Sequence, residues 1–436
     1  MQQLPRLTVY AFYLILWTYV IPDLRLESLG KVPYCVPVAG LALVLAILTD
    51  GRRLLSVRLP PALVLFTTGQ IVSVLATLMF SDQPKIDLII RTLGFSLLPL
   101  AFTMILRTAE HIKHAVLCLL VSASVAFGYG AYGYATGSVG DPLEHAFHYF
   151  GISYTMATKN TDMYYVLSGL TIAVAYTVAN WKPAGLAVRT VLITGIGITI
   201  VGLALSLARG AWITAAAMIA FMMIWGHGRR LKVGIQFLSR AAIVVCVLVV
   251  FALGITALIS NEDLQRVVDR SSSIFTTTNE YGSNSNLNRI ELIRVTLQTA
   301  LRNPIMGVGI GNLRVEYRSA YGIPLNHAEN AYVNVLGEQG VLGLISLLTL
   351  IVWLARALWL VRADRPGHPV SWLKGALMGE VVVFVLYAGF NLLIDSLWCW
   401  GVLSLCSAGA ACYTRESIAV LPALTRRVIL KDRELV

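Results

Sequence analysis

The sequence predicts an all-α polytopic membrane protein of about twelve transmembrane helices, with a helical subdomain inserted on one face. Three observations carry that prediction. The composition is too apolar for a soluble chain, apolar runs of spanning length recur from end to end, and basic residues alternate between the connections. Of 436 residues, 57% are hydrophobic and 13% charged, and the mean hydropathy is +0.73. A soluble protein of this length has too little interior to hide that much apolar surface, so the bilayer is the solvent for most of it.

Apolar runs begin near Thr8, Val32, Leu59, Leu88, Ile112, Met163, Leu186, Ala211, Ala241, Val341, Leu377 and Ser396. The last two are divided by little polar sequence near Asp395. The first, after Met1 to Arg6, superficially resembles a signal peptide, but no small-residue cleavage site follows and it reads as an uncleaved span.

With a cytoplasmic N-terminus, alternate connections should be basic. They hold Arg52, Arg53 and Arg58, then Arg107 and Lys113, Lys182 and Arg189, Arg229, Arg230, Lys232 and Arg240, and Arg356, Arg362, Arg365 and Lys374. The intervening short connections carry Arg25, Lys31, Lys85, Lys159 and Arg209. An even number of spans returns the C-terminus to the cytoplasm, in keeping with the basic tail at 414–436. The predicted organisation is a membrane bundle of about nine spans over 1–259. It includes a short outward segment at 136–162, and an extracytoplasmic helical loop at 260–330 and C-terminal spans over 331–413 follow it.

The net charge of +11 fits anionic headgroups and orientation signals better than nucleic acid, because no basic cluster is interleaved with aromatics on a polar element. The six cysteines lie in apolar runs without metal or disulfide spacing and read as small core residues.

The loop at 260–330 shows helical periodicity. Leu264, Val267 and Val268 form one stripe, and Ile290, Ile293, Leu297 and Leu301 form another, with Asn288 as the expected N-cap and Asn303-Pro304 as the stop. It also carries seven arginines (266, 270, 289, 294, 302, 314 and 318) and no lysine, on the face where positive charge is disfavoured. Each one alone reads more readily as a solvated ion pair with Glu262, Asp263, Asp269 or Glu291. The cluster as a whole reads as an anion site, because the planar guanidinium suits phosphate. Arg266 and Arg270 share one helical face.

Arg209 stands in the tight turn Ser206-Leu207-Ala208-Arg209-Gly210-Ala211-Trp212 between two spans. A charge at that depth is a functional candidate, with snorkelling to the interface as the competing reading. Arg91, inside the fourth span, admits the same two readings, or a structural pairing with Asp87.

Asn303-Pro304-Ile305-Met306-Gly307-Val308-Gly309-Ile310-Gly311-Asn312 has alternating glycines, with Gly307 and Gly309 as candidate phosphate-cradling positions. No βαβ context precedes it, so it is neither a dinucleotide fold nor a P-loop. Asn326-His327-Ala328-Glu329-Asn330-Ala331-Tyr332 opens the helix that returns to the membrane, with Leu336-Gly337-Glu338-Gln339-Gly340-Val341-Leu342-Gly343-Leu344 beyond it. His327 there can serve as a general base near neutral pH or simply as a cap.

In this order the pieces resemble the O-antigen ligase and polymerase superfamily. The resemblance rests on Ser206 to Ala211, Arg289 opening a helix, Asn303-Pro304 with Gly307-Val308-Gly309, and the His327 to Tyr332 stretch with Gly340 and Gly343-Leu344. The resemblance implies a GT-C-type glycosyltransferase of the bacterial inner membrane, acting on the periplasmic face without metal or other cofactor. The donor would be an undecaprenyl diphosphate-linked glycan, and the acceptor the lipid A-core for a ligase or another lipid-linked repeat for a polymerase. It further implies that Arg209 and Arg289 hold the diphosphate, with Arg270 and Arg266 supported by position. Asn330, Tyr332, Gly307 and Gly309 would support the site. Many members carry His-Ala-His-Asn or a His-Asn pair here, whereas this chain has Glu329 before Asn330. Both His327 and Glu329 therefore stand as candidate bases, His327 first. The ligase reading is preferred. A lipid-linked sugar transporter is the other class, and the chain shows none of the internal symmetry expected of it.

Overall fold

The computed structural model describes residues 25–26, 32–33, 57–81, 84–121, 157–180, 185–205, 208–225, 285–321, 328–360, 371–393 and 399–415. It is helical apart from a two-residue antiparallel pair, β1 (Arg25–Leu26) with β2 (Val32–Pro33), in register Arg25 to Pro33. The helices are α1 (Pro61–Phe80), α2 (Ile86–Ile105), α3 (109–121), α4 (Ala157–Asn180), α5 (Leu186–Leu205) and α6 (Arg209–Trp225). There follow α7 (Ser285–Arg302), α8 (Leu313–Tyr321), α9 (Ala331–Leu360), α10 (Ser371–Ala388) and α11 (399–415). Three helices are long and apolar enough to cross a membrane among the described residues: α1, α2 and Ala331–Trp359 of α9.

These helices match the runs expected near Leu59, Leu88, Ile112, Met163, Leu186, Ala211, Val341, Leu377 and Ser396. The runs near Thr8 and Ala241, and all but Val32–Pro33 of the one near Val32, lie outside the described residues, as do most of 136–162, Arg266, Arg270, His327 and the tail beyond 415. The outward segment expected over 136–162 ends early, for 157–162 is already helix.

Pro60 and Pro61 start α1, where a missing N–H is harmless and the fixed φ is helical already. Two groups of helices pack through apolar side chains: α4 on α5, α6 and α10, and α1 on α2 and α9, with α9 also against α10. Phe66 stacks on Trp400 at 5.5 Å, and Tyr164 on Tyr387 at 6.3 Å. Away from these contacts, Leu65, Met79, Phe80, Leu186, Val191 and Val352 are exposed, as expected of surfaces that face lipid.

One end of the bundle gathers residues expected on the basic face. The Arg415 Nη2 donates to the Arg58 carbonyl at 3.4 Å, and the Cys412 thiol to the Arg107 carbonyl at 3.4 Å. The opposite end gathers Ser81, Lys85, the α5–α6 turn, α7, α8 and the start of α9.

Two expectations for α7 are corrected. The helix starts at Ser285, so Asn288 lies within its first turn and is not its cap. The buried stripe is Leu292, Val295, Thr296, Thr299 and Ala300, whereas Ile290, Leu297 and Leu301 are 59%, 41% and 80% exposed. Both stripes have helical spacing. The one buried is the one with threonines, which pack the helix against α8 and α9. Thr296 Oγ1 donates to Leu292 O at 2.7 Å and lies 2.6 Å from the Tyr317 hydroxyl of α8. Asn303-Pro304 ends α7 as expected.

Candidate active site

The glycine-rich stretch explains how α7 and α8 are fixed to the bundle. α9 breaks at Gly340, whose φ of 66° lies in the left-handed region, and the break frees backbone groups on both sides of it. The turn after α7 takes them up. Val308 N donates to Gly337 O at 3.0 Å and Gly309 N to Glu338 O at 2.9 Å, while Val341 N donates to Pro304 O at 2.8 Å. A side chain at Gly307 or at Gly340 would run into the opposing backbone, at Glu338 and Ile305 respectively. Ile310 N then donates to Thr77 Oγ1 at 3.1 Å, and the Ile310 side chain is buried with Val74 and Ile89 between α1 and α2. Asn312 Nδ2 closes the turn on Ser81 Oγ at 2.7 Å and Val308 O at 2.9 Å.

The N–H donors around Gly307 and Gly309 are thus engaged by the protein. Their role is to splice a broken helix, and the phosphate cradle expected of them is not what this geometry offers.

The His327 to Tyr332 stretch is held from three sides. Asn330 caps α9, its Oδ1 accepting from Val333 N at 3.1 Å, while its Nδ2 donates to Gly389 O at 2.9 Å. The Tyr332 hydroxyl donates to Val385 O at 2.9 Å, and Ala328 N donates to Asn334 Oδ1 at 3.2 Å. Glu329 forms an ion pair with Arg289, the two side chains being 38% and 29% exposed. The opening of α7 and the opening of α9 are therefore joined by the two residues that the motifs single out.

Arg209 is the first residue of α6. The turn before it is fixed by Trp212, whose Nε1 donates to Leu203 O at 2.7 Å, and by Ala208 O, which accepts from Ala211 N and Trp212 N. A Cβ at Gly210 would meet Phe390 Cβ at 2.8 Å and Asn391 Nδ2 at 3.5 Å. Since Asn330 is bonded to Gly389, the end of α10 at Gly389–Asn391 brings the Arg209 turn beside the start of α9. That hinge between the motifs carried no signal in the sequence beyond a polar Asn391 in an apolar run.

Among the described residues, the arginines of the loop do not form one cluster. Arg294 and Arg302 reach Glu291 and Glu316 at 3.9 Å from exposed positions, which is the solvated reading. Arg314 turns inward, its Nε buried and without a hydrogen bond among the described residues.

Arg314 lines a cavity of about 320 Å³ between α1, α2, the glycine turn and α9. Gln70, Lys85, Asp87, Asn334, Glu338 and Gln339 supply its other polar groups. Lys85 Nζ donates to Gly311 O at 2.9 Å, and burial, aided by Arg314, pulls its ammonium below the usual lysine range, with Glu338 and Asp87 opposing. The sequence showed Lys85 only as a weak exception to the charge pattern and Asp87 only as a partner for Arg91. Gln70, a polar residue within an apolar span, is a signal that could have pointed here.

No curated protein matches the chain. Residues 194–348 match the family model described as O-antigen ligase, a stretch that contains the Arg209 turn, α7, the glycine turn and the Arg289–Glu329 pair. Over that stretch the chain is similar to the O-antigen ligase family, and its composition and spanning-length apolar helices are those of a membrane protein.

Proposed function

We propose that the chain is an O-antigen ligase, transferring polysaccharide from undecaprenyl diphosphate to the lipid A-core oligosaccharide on the periplasmic face of the inner membrane. The observation that carries the reading is the convergence of the Arg209 turn, Arg289, Glu329 and Asn330 around the end of α10. In this reading the chain is a GT-C-type bundle of about twelve spans with both termini in the cytoplasm. The periplasmic loop at 260–330 carries most of the site, and Arg270 and Arg266 join the diphosphate site from its first part.

The mechanism is metal-independent and inverting. A base takes the proton of the acceptor hydroxyl, the oxygen attacks the anomeric carbon, and the bond from that carbon to the diphosphate oxygen breaks. Negative charge grows on the departing undecaprenyl diphosphate, and Arg209 and Arg289 stabilise it more in the transition state than in the ground state. Arg209 at the start of α6 sets a cation against the positive end of a helix dipole. Neither is neutralised by the other, so both favour an arriving anion. Glu329 is already engaged with Arg289, which leaves His327 as the base and makes Glu329 the group that orients the guanidinium.

A polymerase would use the same donor site with a second lipid-linked repeat as acceptor. The two are separated by analysing lipopolysaccharide and carrier-bound glycan in a strain lacking the protein. The ligase reading expects full-length chains on the carrier and none on lipid A-core. Long chains still reaching lipid A-core while the carrier-bound ones shorten would make it a polymerase. A transporter would lose carrier-bound glycan from the periplasmic face altogether, and Arg209→Ala would leave transfer by that face unchanged.

A further inference from the structure

Among the described residues, the cavity between α1, α2 and α9 contains chemistry that the diphosphate mechanism does not use. Its charged side chains balance, Lys85 and Arg314 against Asp87 and Glu338. That balance is wrong for a diphosphate, which would bring two or more negative charges next to two carboxylates. The rest of the lining is split between amides and flat apolar surface: Gln70, Asn334 and Gln339 on one hand, Phe95, Trp400 and Leu88 on the other. A pyranose ring has this same division, with hydroxyls at the rim and C–H groups on its faces.

Among the described residues, two polar groups of the cavity lining stand without partners. Gln339 is 4% exposed, and its Oε1 makes no hydrogen bond; the Arg314 Nε is buried and equally unbonded. Orphaned buried polar groups cost about 1–3 kcal/mol each; Gln339 Oε1 packs against Gly343, and a turn of either side chain towards the cavity would offer a ligand hydroxyl, both donor and acceptor, the amide oxygen or the guanidinium N–H. The volume of about 320 Å³ is in the range of small-molecule sites. The cavity also touches the candidate active site, since Asn334 lines it and binds Ala328 N, next to Glu329.

We propose that this cavity is a subsite for an uncharged sugar ring of one of the two glycan substrates, read by Gln339, Asn334 and Arg314 at its hydroxyls and by Trp400 and Phe95 at its faces. The proposal rests on the glycan-transfer reading for its substrate class. Its test uses the full-length protein in detergent, with methyl glycosides of glucose, galactose and N-acetylglucosamine as probes and inorganic pyrophosphate as the charged control.

The readout is tryptophan fluorescence, with the Trp400→Phe protein subtracted to isolate Trp400. At least one glycoside is expected to shift that signal at millimolar concentration, and pyrophosphate is not. Gln339→Leu, nearly the same size, should weaken the glycoside response about tenfold, the loss expected for one hydrogen bond. Thr92→Val, which also alters the lining, repeats the measurement should Gln339→Leu fail to fold. In the transfer assay Gln339→Leu should raise KM for one substrate about tenfold with kcat altered little. A rise for the lipid-linked glycan places the ring on the donor, and a rise for the core acceptor places it there. No glycoside response in folded protein, a response displaced by pyrophosphate, or an unaltered KM for both substrates would overturn the subsite. A wild-type protein that transfers no glycan yet binds a glycoside through Gln339 would defeat the ligase reading and leave the subsite standing.

Discussion

A guanidinium held by a carboxylate is oriented before any anion arrives, and that is the state of Arg289 on Glu329. Preorganisation of this kind is what makes a charged donor effective in a transition state. Arg289→Ala is therefore expected to lower glycan transfer about 10²–10³-fold at matched expression. Arg289→Lys should rescue little, because a point charge lacks the planar fork. Near wild-type transfer by Arg289→Ala in membranes would remove it from the mechanism. The division between His327 and Glu329 is testable by the same assay. His327→Ala should lose about 10²–10⁴-fold. Glu329→Gln should lower the rate less. A larger loss in Glu329→Gln than in His327→Ala would make the carboxylate the base.

At the scale of elements, the decisive object is a helix that breaks and is spliced. α9 interrupts its own hydrogen bonding at Gly340, and the turn after α7 supplies the missing partners through Val308, Gly309 and Pro304. This ties the pair α7–α8 to α9 by backbone bonds, which side-chain variation cannot erase. Gly340→Ala meets both a φ of 66° and the Ile305 carbonyl, so it should destabilise the protein by roughly 1–3 kcal/mol or more. Thermal unfolding in detergent checks this, and an unchanged Tm would mean the break is not required.

The α7–α8 contact has its own signature. Burial pushes the Tyr317 hydroxyl up to about 12 from 10.0, against a smaller opposing effect of the Thr296 hydrogen bond. Because the folded value lies above the unfolded one, the protonated phenol favours the folded state. Its contribution is complete below about pH 10 and is lost as pH rises from there towards about 12. Tyr317→Phe should remove that part of the alkaline destabilisation, as read from unfolding midpoints between pH 9 and pH 11.

For the whole molecule, the contacts at the two ends of the bundle agree with one orientation. Arg58, Arg107 and Arg415 meet at one end, and Ser81, Lys85, Gly311, Asn330 and Gly389 at the other. With a cytoplasmic N-terminus, as proposed, the site would lie in the periplasm. Alkaline phosphatase fused after Ser81 should be active and after Arg415 inactive, with a fluorescent protein giving the opposite pattern. Any other pairing of results would invert or break the topology.

How far each layer was legible follows from the range of the forces that set it. Apolar helices are local consequences of apolar runs in lipid, so the spanning-length α1, α2 and α9 and the apolar α4, α5, α6 and α10 could be placed from composition alone. The motif order at Arg209, Arg289 and His327 to Tyr332 named the residues of the candidate site for the same reason, each being a short string. Which stripe of α7 is buried could not be read, because Ile290-Leu297-Leu301 and Leu292-Val295-Thr299 have the same period and only their neighbours differ. The glycines after Pro304 looked like a phosphate cradle until the break in α9 showed which backbone groups they serve. The cavity holding Lys85, Arg314 and Gln339 draws its walls from residues more than two hundred positions apart. Sequence determined the solvent this protein lives in and the helices that follow from it, and it nominated the candidate residues; tertiary packing alone decided what those residues face, because partners that distant in the chain meet only through the fold.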